Sequence, residues 1–241
     1  MSGKLFGVGT GPGDAELLTL KAVRAIAETD VVAFFAKRGN ASNARAIAAA
    51  HFRPGQIEEA LDYPVTTEIH RHDSSYKSQI DAFYSEAATR LAAHLDAGRN
   101  VVVLSEGDPL FYGSYMHIHV RLAPLYDTEV IPGITAMSGA WSAAGVPLVQ
   151  GDDILTILPG TLDQADLARR LSVTEGAVIM KLGRNLPKVR AALAEAGRLD
   201  GAVYVERATM ANGSSLLLSH KTDDTAPYFS LILVPGWSAR P

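Results

Sequence analysis

Short apolar runs alternate with amphipathic segments along the chain, and this alternation predicts an α/β fold with a parallel sheet. The run Val-Val-Val-Leu within residues 100–105 is typical of a strand that is buried on both faces. The other strands predicted in the first half cover residues 4–8, 31–36 and 129–131. The helices predicted between them cover residues 16–28, 41–51 and 73–97.

Two of these helices have clear signals at their ends or along one face. Asp14 precedes the helix predicted over residues 16–28 and is a candidate N-cap. Gly98 follows the helix predicted over residues 73–97 and is a stop signal. The apolar stripe of that second helix has helical spacing and consists of Tyr76, Ile80, Phe83, Ala87, Leu91 and Leu95.

The second half of the chain continues the alternation and then departs from it. Its predicted strands cover residues 154–158, 177–182, 202–206, 215–219 and 229–234, and its predicted helices cover residues 135–144, 163–171 and 186–196. Because no helix separates the last three strands, we expect hairpins and a mixed sheet there. The pattern predicts two α/β domains, residues 1–130 and 131–241, that divide near residues 128–133.

Composition and charge narrow the class of protein. Hydrophobic residues make up 47% of the chain and charged residues 20%, which is typical of a globular rather than a disordered protein. The sequence has no cysteine, which excludes thiolate catalysis, disulfides and cysteine-ligated metal centres. The net charge of −4, without a dense basic block, gives no support for nucleic-acid binding.

The expected location follows from two further features of the sequence. No apolar run reaches the roughly 18 residues that a membrane-spanning helix needs. Residues 1–10 lack the basic, apolar and small-residue regions of a secretory signal. We therefore expect a cytoplasmic protein that makes no membrane contact.

A glycine-rich segment, residues 7–14 (GVGTGPGD), differs in spacing from the known phosphate-binding loops. The dinucleotide fingerprint places glycine at its first, third and sixth positions. The sixth position is Pro12 when counted from Gly7 and Asp14 when counted from Gly9. No Gly-Lys-Ser/Thr sequence follows, so the segment is not a Walker loop either.

The end of the second predicted strand also argues against a dinucleotide enzyme. A nicotinamide enzyme carries an acidic residue there to bind the ribose, whereas this chain has Lys37 and Arg38. The same argument disfavours an ordinary Rossmann methyltransferase. The structural alternative for Gly7 and Gly9 is a tight strand-to-helix turn with positive φ.

Two further loops follow predicted buried strands. Residues 105–113 (SEGDPLFYG) carry Glu106 and Asp108, and this acceptor-rich rim suits a cationic or hydroxyl-bearing ligand. Ligands of open α/β sheets bind at the carboxyl ends of the strands. Residues 132–136 (PGITA) run from a strand into a helix, where free N–H groups and the Thr135 hydroxyl can hold a carboxylate. An ordinary capped helix start is the alternative for this last loop.

Together these segments resemble the tetrapyrrole methylases, which use S-adenosyl-L-methionine on a fold unlike that of the Rossmann methyltransferases. The matching segments occur in order over nearly the whole chain: residues 7–14 (GVGTGPGD), 107–113 (GDPLFYG), 132–136 (PGITA) and 228–234 (YFSLILV). The resemblance implies two α/β domains with the active-site cleft between them, and a homodimer. It also implies S-adenosyl-L-methionine as the cofactor and S-adenosyl-L-homocysteine as its product.

The resemblance further implies which residues of the motifs contact the cofactor. These are Pro12, Glu106, Gly107, Asp108, Phe111, Thr135 and Ala136. A second implied set, from the other half of the chain, consists of Lys181, Ala208 and Ser230.

Within this family the chain is similar to the branch that methylates carbon-20 of precorrin-2 in cobalamin biosynthesis. The segments that carry this similarity are residues 11–22 (GPGDAELLTLKA), 180–185 (MKLGRN) and 205–208 (VERA). The reaction needs no enzyme nucleophile, because a sulfonium methyl is already electrophilic and the reduced ring is electron-rich. The alternatives are the same reaction on cobalt-factor II, methylation of another tetrapyrrole carbon, and a non-catalytic tetrapyrrole carrier.

The implied reaction defines two more groups of candidate residues. A base must take the proton from the methylated carbon, and the candidates are Glu106, Asp108, Tyr112 and His117, with solvent as the alternative. Precorrin-2 also carries several acetate and propionate groups, which require cationic partners, arginine above all. The substrate-binding candidates are Lys37, Arg38 and Arg184.

Two other features of the sequence bear on function. His117 and His119 project about 200° apart if they lie on a helix, so they do not share a metal there, and we expect no metal site. Residues 53–74 contain three turn-forming residues, Pro54, Gly55 and Pro64, and show little periodicity. They are therefore expected to form either a lid over the ring or a surface loop.

Overall fold

The computed structural model describes residues 1–64 and 74–236 of the chain. Contacts between Cα atoms divide the chain into two compact units, Met1–Thr135 and Ala136–Pro241. The sequence prediction put the division after residue 130 instead. The difference arises because the strand Thr128–Ile131 pairs with Leu5–Gly9 in the sheet of the first unit and draws the residues that follow it into that unit.

The first unit contains a five-stranded parallel sheet. In chain order its strands are β1 (Leu5–Gly9), β2 (Val31–Lys37), β3 (Ile57–Tyr63), β4 (Val101–Ser105) and β5 (Thr128–Ile131). Their order in the sheet is β3-β2-β4-β1-β5, and every pairing is parallel. All five carboxyl ends therefore lie at one edge of the sheet.

Helices cover both faces of this sheet. They are α1 (Leu20–Glu28), α2 (Asn43–Ala48), α3 (Ser74–Asp96) and α4 (Tyr115–Leu122). Helices α3 and α4 pack against Val101 and Val103 of β4, and α1 and α2 pack against Val102 and Leu104 on the opposite face. The side chains of β4 are thus buried on both faces, which confirms the interpretation of its apolar run.

Strand β3 was not predicted, and the expectation of a lid or loop over residues 53–74 is wrong for residues 57–63. These residues pair in register with β2, from Val31 opposite Ile57 to Lys37 opposite Tyr63. The pattern is hidden because β3 is an edge strand, where Leu61 alone is fully buried and polar residues surround it. The part of the expectation that falls on residues 65–73 lies outside the described residues.

The helix predicted over residues 16–28 is divided into two pieces. Ala15–Leu17 forms a 3-10 turn, and Asp14 Oδ1 accepts a hydrogen bond from Glu16 N over 2.9 Å at its start. Helix α1 begins only at Leu20, where Thr19 Oγ1 accepts a hydrogen bond from Ala22 N over 3.1 Å. Asp14 therefore caps the turn, and the prediction that it caps the helix is wrong.

This division predicts unequal effects of removing the two caps. Thr19→Ala is expected to lower the free energy of unfolding by about 1 kcal/mol, because it removes the N-cap of a nine-residue helix. Asp14→Ala is expected to cost less, since its turn has three residues. Urea unfolding measures both, with Thr19→Ser as the variant that keeps the capping oxygen. A larger loss for Asp14→Ala than for Thr19→Ala would contradict this assignment.

The second unit contains a mixed five-stranded sheet. Its strands are β6 (Leu155–Pro159), β7 (Gly176–Met180), β8 (Val203–Glu206), β9 (Ser214–Leu217) and β10 (Ser230–Val234), in the order β6-β7-β10-β8-β9. Strands β6 and β7 are parallel, whereas β10 runs antiparallel to both β7 and β8, and β9 runs antiparallel to β8. The mixed sheet predicted from the sequence is confirmed.

The helices of the second unit also lie on both faces of their sheet. They are α5 (Ala136–Ala144), α6 (Gln164–Leu171) and α7 (Leu186–Glu195). Helices α6 and α7 pack against Ile179 and Ile232, and α5 packs through Ala140 against Val178 and Leu233. None of the helices within residues 1–64 and 74–236 is long and apolar enough to cross a membrane.

Candidate functional site

Three loops leave the carboxyl ends of β4, β1 and β5, which are neighbours in the first sheet. We call them the β1 loop (residues 10–14), the β4 loop (residues 106–113) and the β5 loop (residues 132–135). They contain the three motifs that the sequence analysis identified in this half of the chain. Parallel pairing thus brings together motifs that are far apart in the sequence.

The β1 and β4 loops are hydrogen-bonded to each other through their backbones. Thr10 N donates to Ser105 O over 2.8 Å, and the buried Thr10 hydroxyl donates to the same oxygen over 3.2 Å. Gly11 and Gly107 form an antiparallel bridge, in which Gly107 N donates to Gly11 O over 2.9 Å. These bonds fix the position of the β4 loop relative to β1.

Glycine is required where the three loops meet. A Cβ atom on Gly133 or on Gly9 would lie well inside 3.0 Å of the Gly107 carbonyl oxygen, a separation that real Cβ atoms essentially never show. Gly107 itself has a φ of 65°, which favours glycine. The backbones of the loops therefore pack directly against each other, with no room for side chains between them.

The role expected for Gly7 and Gly9 is corrected by the structure. Their alternative reading was a turn with positive φ, but the positive φ values in this segment belong to Gly11 (76°) and Gly13 (142°). Gly7 is restricted by space instead, because a Cβ there would collide with the ring of Tyr115, which is fully buried beneath β1. A Cβ atom at Gly7 or Gly9 would collide with neighbouring atoms. Lack of space, and not backbone conformation, therefore explains why both positions are glycine.

Asp108 links the β4 loop to the β5 loop. Its Oδ1 accepts a hydrogen bond from Leu110 N over 2.9 Å, and its Oδ2 accepts one from Gly133 N over 3.2 Å. Each carboxylate oxygen therefore already has a backbone amide partner. The geometry gives Asp108 the role of a brace between the two loops.

Glu106 is the second carboxyl group of the β4 loop, and its surroundings differ from those of Asp108. It is half-buried, and burial raises the pKa of the Glu106 carboxyl above its ordinary value. A hydrogen bond with the side chain of Asn43 opposes this rise. Asn43 has no functional signal in the sequence, where it is simply the start of a helix, because its contact depends on how α2 packs against β4.

Tyr112 also lies in the β4 loop and has an unusual backbone. Its φ of 55° is in the left-handed region, which strains a residue other than glycine. Its side chain is 51% exposed, and its ring meets that of Phe111 edge-on with centroids 4.9 Å apart. The loop thus carries a half-exposed aromatic residue on a constrained backbone.

The two histidines of interest both lie on α4. The His117 ring stacks on Tyr84 with centroids 4.1 Å apart, and burial together with Arg121 lowers the pKa of His117. His119 Nδ1 lies 3.2 Å from the Tyr115 hydroxyl. In the parts of the chain that the structure describes, no group of three metal-ligating side chains comes together.

The cationic candidates fall in both units. Lys37 ends β2 and Arg38 follows it, so both belong to the sheet edge from which the three loops leave, and both are exposed. Arg184 belongs to the second unit, where it is exposed in the 3-10 turn Gly183–Asn185.

The second set of implied cofactor residues gathers at one edge of the second sheet. Lys181 follows β7 and Ala208 lies just beyond β8, while Ser230 begins the antiparallel β10 and pairs with Glu206 at the end of β8. Ser230 is buried, and its hydroxyl donates to Pro227 O over 2.6 Å. Lys181 has a φ of 58°, a second non-glycine residue in the left-handed region.

The first set of implied cofactor residues is also largely brought together. Pro12, Glu106, Gly107, Asp108, Phe111 and Thr135 lie in the three loops of the first unit. Ala136 comes next in the chain and is the first residue of α5 in the second unit. Topology therefore collects the first set, apart from Ala136, at one edge of the first sheet, and the second set at one edge of the second sheet.

Comparison with known proteins identifies the class of this chain. The model of the family described as Tetrapyrrole (Corrin/Porphyrin) Methylases matches residues 4–217. The chain therefore belongs to the tetrapyrrole methylases, and the resemblance seen in its motifs is confirmed. Two relatives and one solved structure are similar to the chain over nearly its whole length.

The first relative is precorrin-2 C(20)-methyltransferase from Sinorhizobium sp., to which the chain is 64% identical over 239 residues, or 99% of this chain and 98% of that protein. The second is cobalt-precorrin-2 C(20)-methyltransferase from Salmonella typhimurium, at 27% identity over 97% of both chains. The structure of uroporphyrin-III C-methyl transferase from Thermus thermophilus, complexed with S-adenyl homocysteine, superimposes with a TM-score of 0.67 at 23% identity over 97% of each chain. This last likeness shows the fold alone.

Proposed function

We propose that this protein transfers a methyl group from S-adenosyl-L-methionine to carbon-20 of precorrin-2, giving precorrin-3A in cobalamin biosynthesis. The observation that carries the proposal is the 64% identity, over nearly the full length of both chains, to a precorrin-2 C(20)-methyltransferase. The relative named for the cobalt-containing substrate is 27% identical. This difference favours the metal-free ring over its cobalt complex.

The chemistry of the three loops fits a cationic methyl donor. Their residues include the carboxyl groups of Asp14, Glu106 and Asp108 but no lysine, arginine or histidine. An acceptor-rich rim of this kind complements the positive charge of a sulfonium. When bound, S-adenosyl-L-methionine supplies an electrophilic methyl group. The residues proposed to hold it are Pro12, Glu106, Gly107, Asp108, Phe111, Thr135, Ala136, Lys181, Ala208 and Ser230.

The close packing of the three loops supports catalysis by orientation of the methyl donor relative to the ring. The glycine contacts and the Asp108 brace fix the backbone of the loops before any ligand binds. Correct orientation of two reactants can contribute about 7–11 kcal/mol to lowering a barrier. The amide hydrogen bonds that the Asp108 oxygens already accept disperse part of their charge, which weakens an ion pair that would stabilise the ground state.

The proposed substrate requires a cationic surface, and Lys37 and Arg38 are proposed to bind its carboxylates, with Arg184 as a further contact. The double variant Lys37→Ala/Arg38→Ala is expected to raise KM for precorrin-2 about tenfold, since each exposed charge contributes up to about 1 kcal/mol. The affinity for S-adenosyl-L-homocysteine is expected to stay the same. Arg169→Ala/Arg170→Ala, on the exposed face of α6, removes the same charge and serves as the control. Equal KM values for the two double variants would contradict the assignment.

Calorimetry with S-adenosyl-L-homocysteine tests whether the protein binds the implied product. We expect saturable binding with one site per chain. No binding at millimolar product would contradict the proposed function. Addition of precorrin-2 together with the methyl donor then separates an enzyme from a carrier, because a carrier binds the ring without turnover.

We further propose that the enzyme acts as a cytoplasmic homodimer. The dimer rests on the family resemblance. Light scattering behind size-exclusion chromatography is expected to give about twice the chain mass of 25.6 kDa. A particle with the mass of one chain would contradict the dimer.

A further inference from the structure

Two tyrosine hydroxyls meet the hydroxyl of Ser114, which comes directly after the β4 loop and precedes α4. The Tyr84 hydroxyl donates to Ser114 Oγ over 3.2 Å, and the Tyr63 hydroxyl forms a hydrogen bond with the same oxygen. Tyr63 is the last residue of β3, and Tyr84 belongs to α3. We call these three side chains the hydroxyl cluster. It joins β3 and α3 to the point where the β4 loop ends.

The Ser114 side chain does not cap α4, although serine is a preferred N-cap residue. Its φ of −68° and ψ of −24° are helical, and its hydroxyl makes no capping hydrogen bond. A serine hydroxyl has one donor and two acceptor positions, and the two tyrosines occupy two of these three. The side chain therefore contributes to the contact with β3 and α3, and not to the start of the helix.

Aromatic neighbours hold both tyrosine rings in place. The Tyr63 ring stacks on Phe35 with centroids 5.7 Å apart and lies 5.0 Å from the ring of Phe83. The Tyr84 ring lies 5.2 Å from Phe83 and stacks on His117 of α4 at 4.1 Å. Tyr84 is also buried. Because closely packed rings have little room to move, the two hydroxyls give Ser114 a fixed attachment.

The β4 loop is closely packed at the end that Ser114 follows. A Cβ atom on Gly113 would lie 2.8 Å from Ser105 Oγ and 3.0 Å from Pro109 O, so the last residue of the loop lies against its own beginning. The beginning of the loop is already fixed by the backbone bonds between the β1 and β4 loops. Phe111, which is proposed to hold the methyl donor, lies between these two fixed ends.

We propose that Ser114 is a positioning residue of the methyl-transfer site, which Tyr63 and Tyr84 hold in place and which acts through the β4 loop. This inference rests on the function proposed above, because that proposal places contacts to S-adenosyl-L-methionine in the loop. A loop with both ends fixed has less conformational freedom to lose when a ligand binds. The affinity for the donor and its product therefore depends on the hydroxyl cluster.

Hydrogen exchange measured by mass spectrometry tests the positioning role without a ligand. Ser114→Ala removes both tyrosine contacts, and the amides within residues 106–113 are expected to exchange about tenfold faster. Ser114→Thr keeps the hydroxyl and is expected to restore slow exchange. If exchange rose only in the first turn of α4, or nowhere, Ser114 would not position the loop.

Calorimetry with S-adenosyl-L-homocysteine tests whether the cluster affects the affinity for the product. Ser114→Ala is expected to weaken binding about tenfold, and Tyr84→Phe, which keeps the ring, about threefold. The double variant Ser114→Ala/Tyr84→Phe is expected to bind as Ser114→Ala does, because the Tyr84 hydroxyl has already lost its acceptor. Additive losses would mean that the two residues act independently, which would overturn the cluster.

Tyr126→Phe is the matched control for Tyr84→Phe. The Tyr126 hydroxyl donates to Asp96 Oδ1 over 2.8 Å, at the last residue of α3. Its removal costs a tyrosine hydrogen bond to the same helix, but at a point outside the hydroxyl cluster. Product affinity and exchange in the β4 loop are expected to stay as in the wild type. An equal loss of affinity in Tyr126→Phe and Tyr84→Phe would reduce the effect to general destabilisation and refute the proposal.

Steady-state kinetics with precorrin-2 distinguish positioning of the donor from general damage to the enzyme. Ser114→Ala is expected to raise KM for S-adenosyl-L-methionine about tenfold, with kcat and KM for precorrin-2 nearly unchanged. A fall in kcat with an unchanged KM for the donor would contradict the role of Ser114. If the wild-type protein itself fails to methylate carbon-20, the proposed function fails, whereas hydrogen exchange still reports whether Ser114 positions the loop.

Discussion

Gly133→Ala is expected to abolish measurable S-adenosyl-L-homocysteine binding and to lower the free energy of unfolding by about 3 kcal/mol, the upper end of the usual cost of overpacking. The new Cβ would collide with the carbonyl oxygen of Gly107 and with the backbone of Gly9. Neither neighbour can move easily, because Gly107 is bridged to Gly11 and Gly9 is the last residue of β1. The three loops would have to separate. Urea unfolding and calorimetry measure the two effects.

Gly145→Ala is the control for this variant. Gly145 has a φ of 65° and no atom within 4 Å of its added Cβ, so alanine there costs about 1–2 kcal/mol of backbone strain without a collision. Product binding is expected to be retained. If Gly133→Ala were no less stable than Gly145→Ala and still bound S-adenosyl-L-homocysteine, the close packing of the loops would not matter for the site.

Asp108→Ala is expected to lower the free energy of unfolding by about 3 kcal/mol, because it leaves the amides of Leu110 and Gly133 without their charged acceptor. The affinity for S-adenosyl-L-homocysteine is expected to fall with it, since the β4 and β5 loops lose their link. Asp108→Asn keeps one acceptor oxygen and is expected to lie between the wild type and the alanine variant. Thermal unfolding measures the stability of the wild type and the two variants, and calorimetry measures their affinity for S-adenosyl-L-homocysteine.

Asp108→Ala and Asp108→Asn also distinguish two roles for Asp108, namely a link between two loops and a proton acceptor. If Asp108 were the proton acceptor, Asp108→Asn would lose kcat while it kept stability and product affinity. For a brace, stability and affinity fall together, and kcat at saturation falls less. The first pattern would contradict the role that the structure gives to Asp108.

The sequence predicts best the elements whose pattern of apolar residues follows directly from the burial of their side chains. The apolar run of β4 is buried on both faces, and parallel strands place the three motif loops at one edge, so topology follows from the alternation of strands and helices. The mixed sheet of the second unit was predictable for the same reason, because no helix separates its last strands. In these cases the local pattern and the tertiary fold agree.

The features that sequence analysis missed depend on contacts between distant segments. Strand β3 lies at the sheet edge, and Glu58, Glu59 and Asp62 hide its pattern. The restriction at Gly133 arises from the backbone of Gly107, which no periodicity reveals. The contact of Asn43 with Glu106 likewise requires α2 to pack against β4.

The position of the transferred methyl group tests the central claim most directly. Precorrin-2 is incubated with the protein and S-adenosyl-L-methionine labelled with carbon-13 in its methyl group, and NMR of the purified product locates the label. The account predicts one new labelled methyl group per ring, bound to carbon-20. A label on any other ring carbon, or a ring that is bound but carries no label, would contradict it.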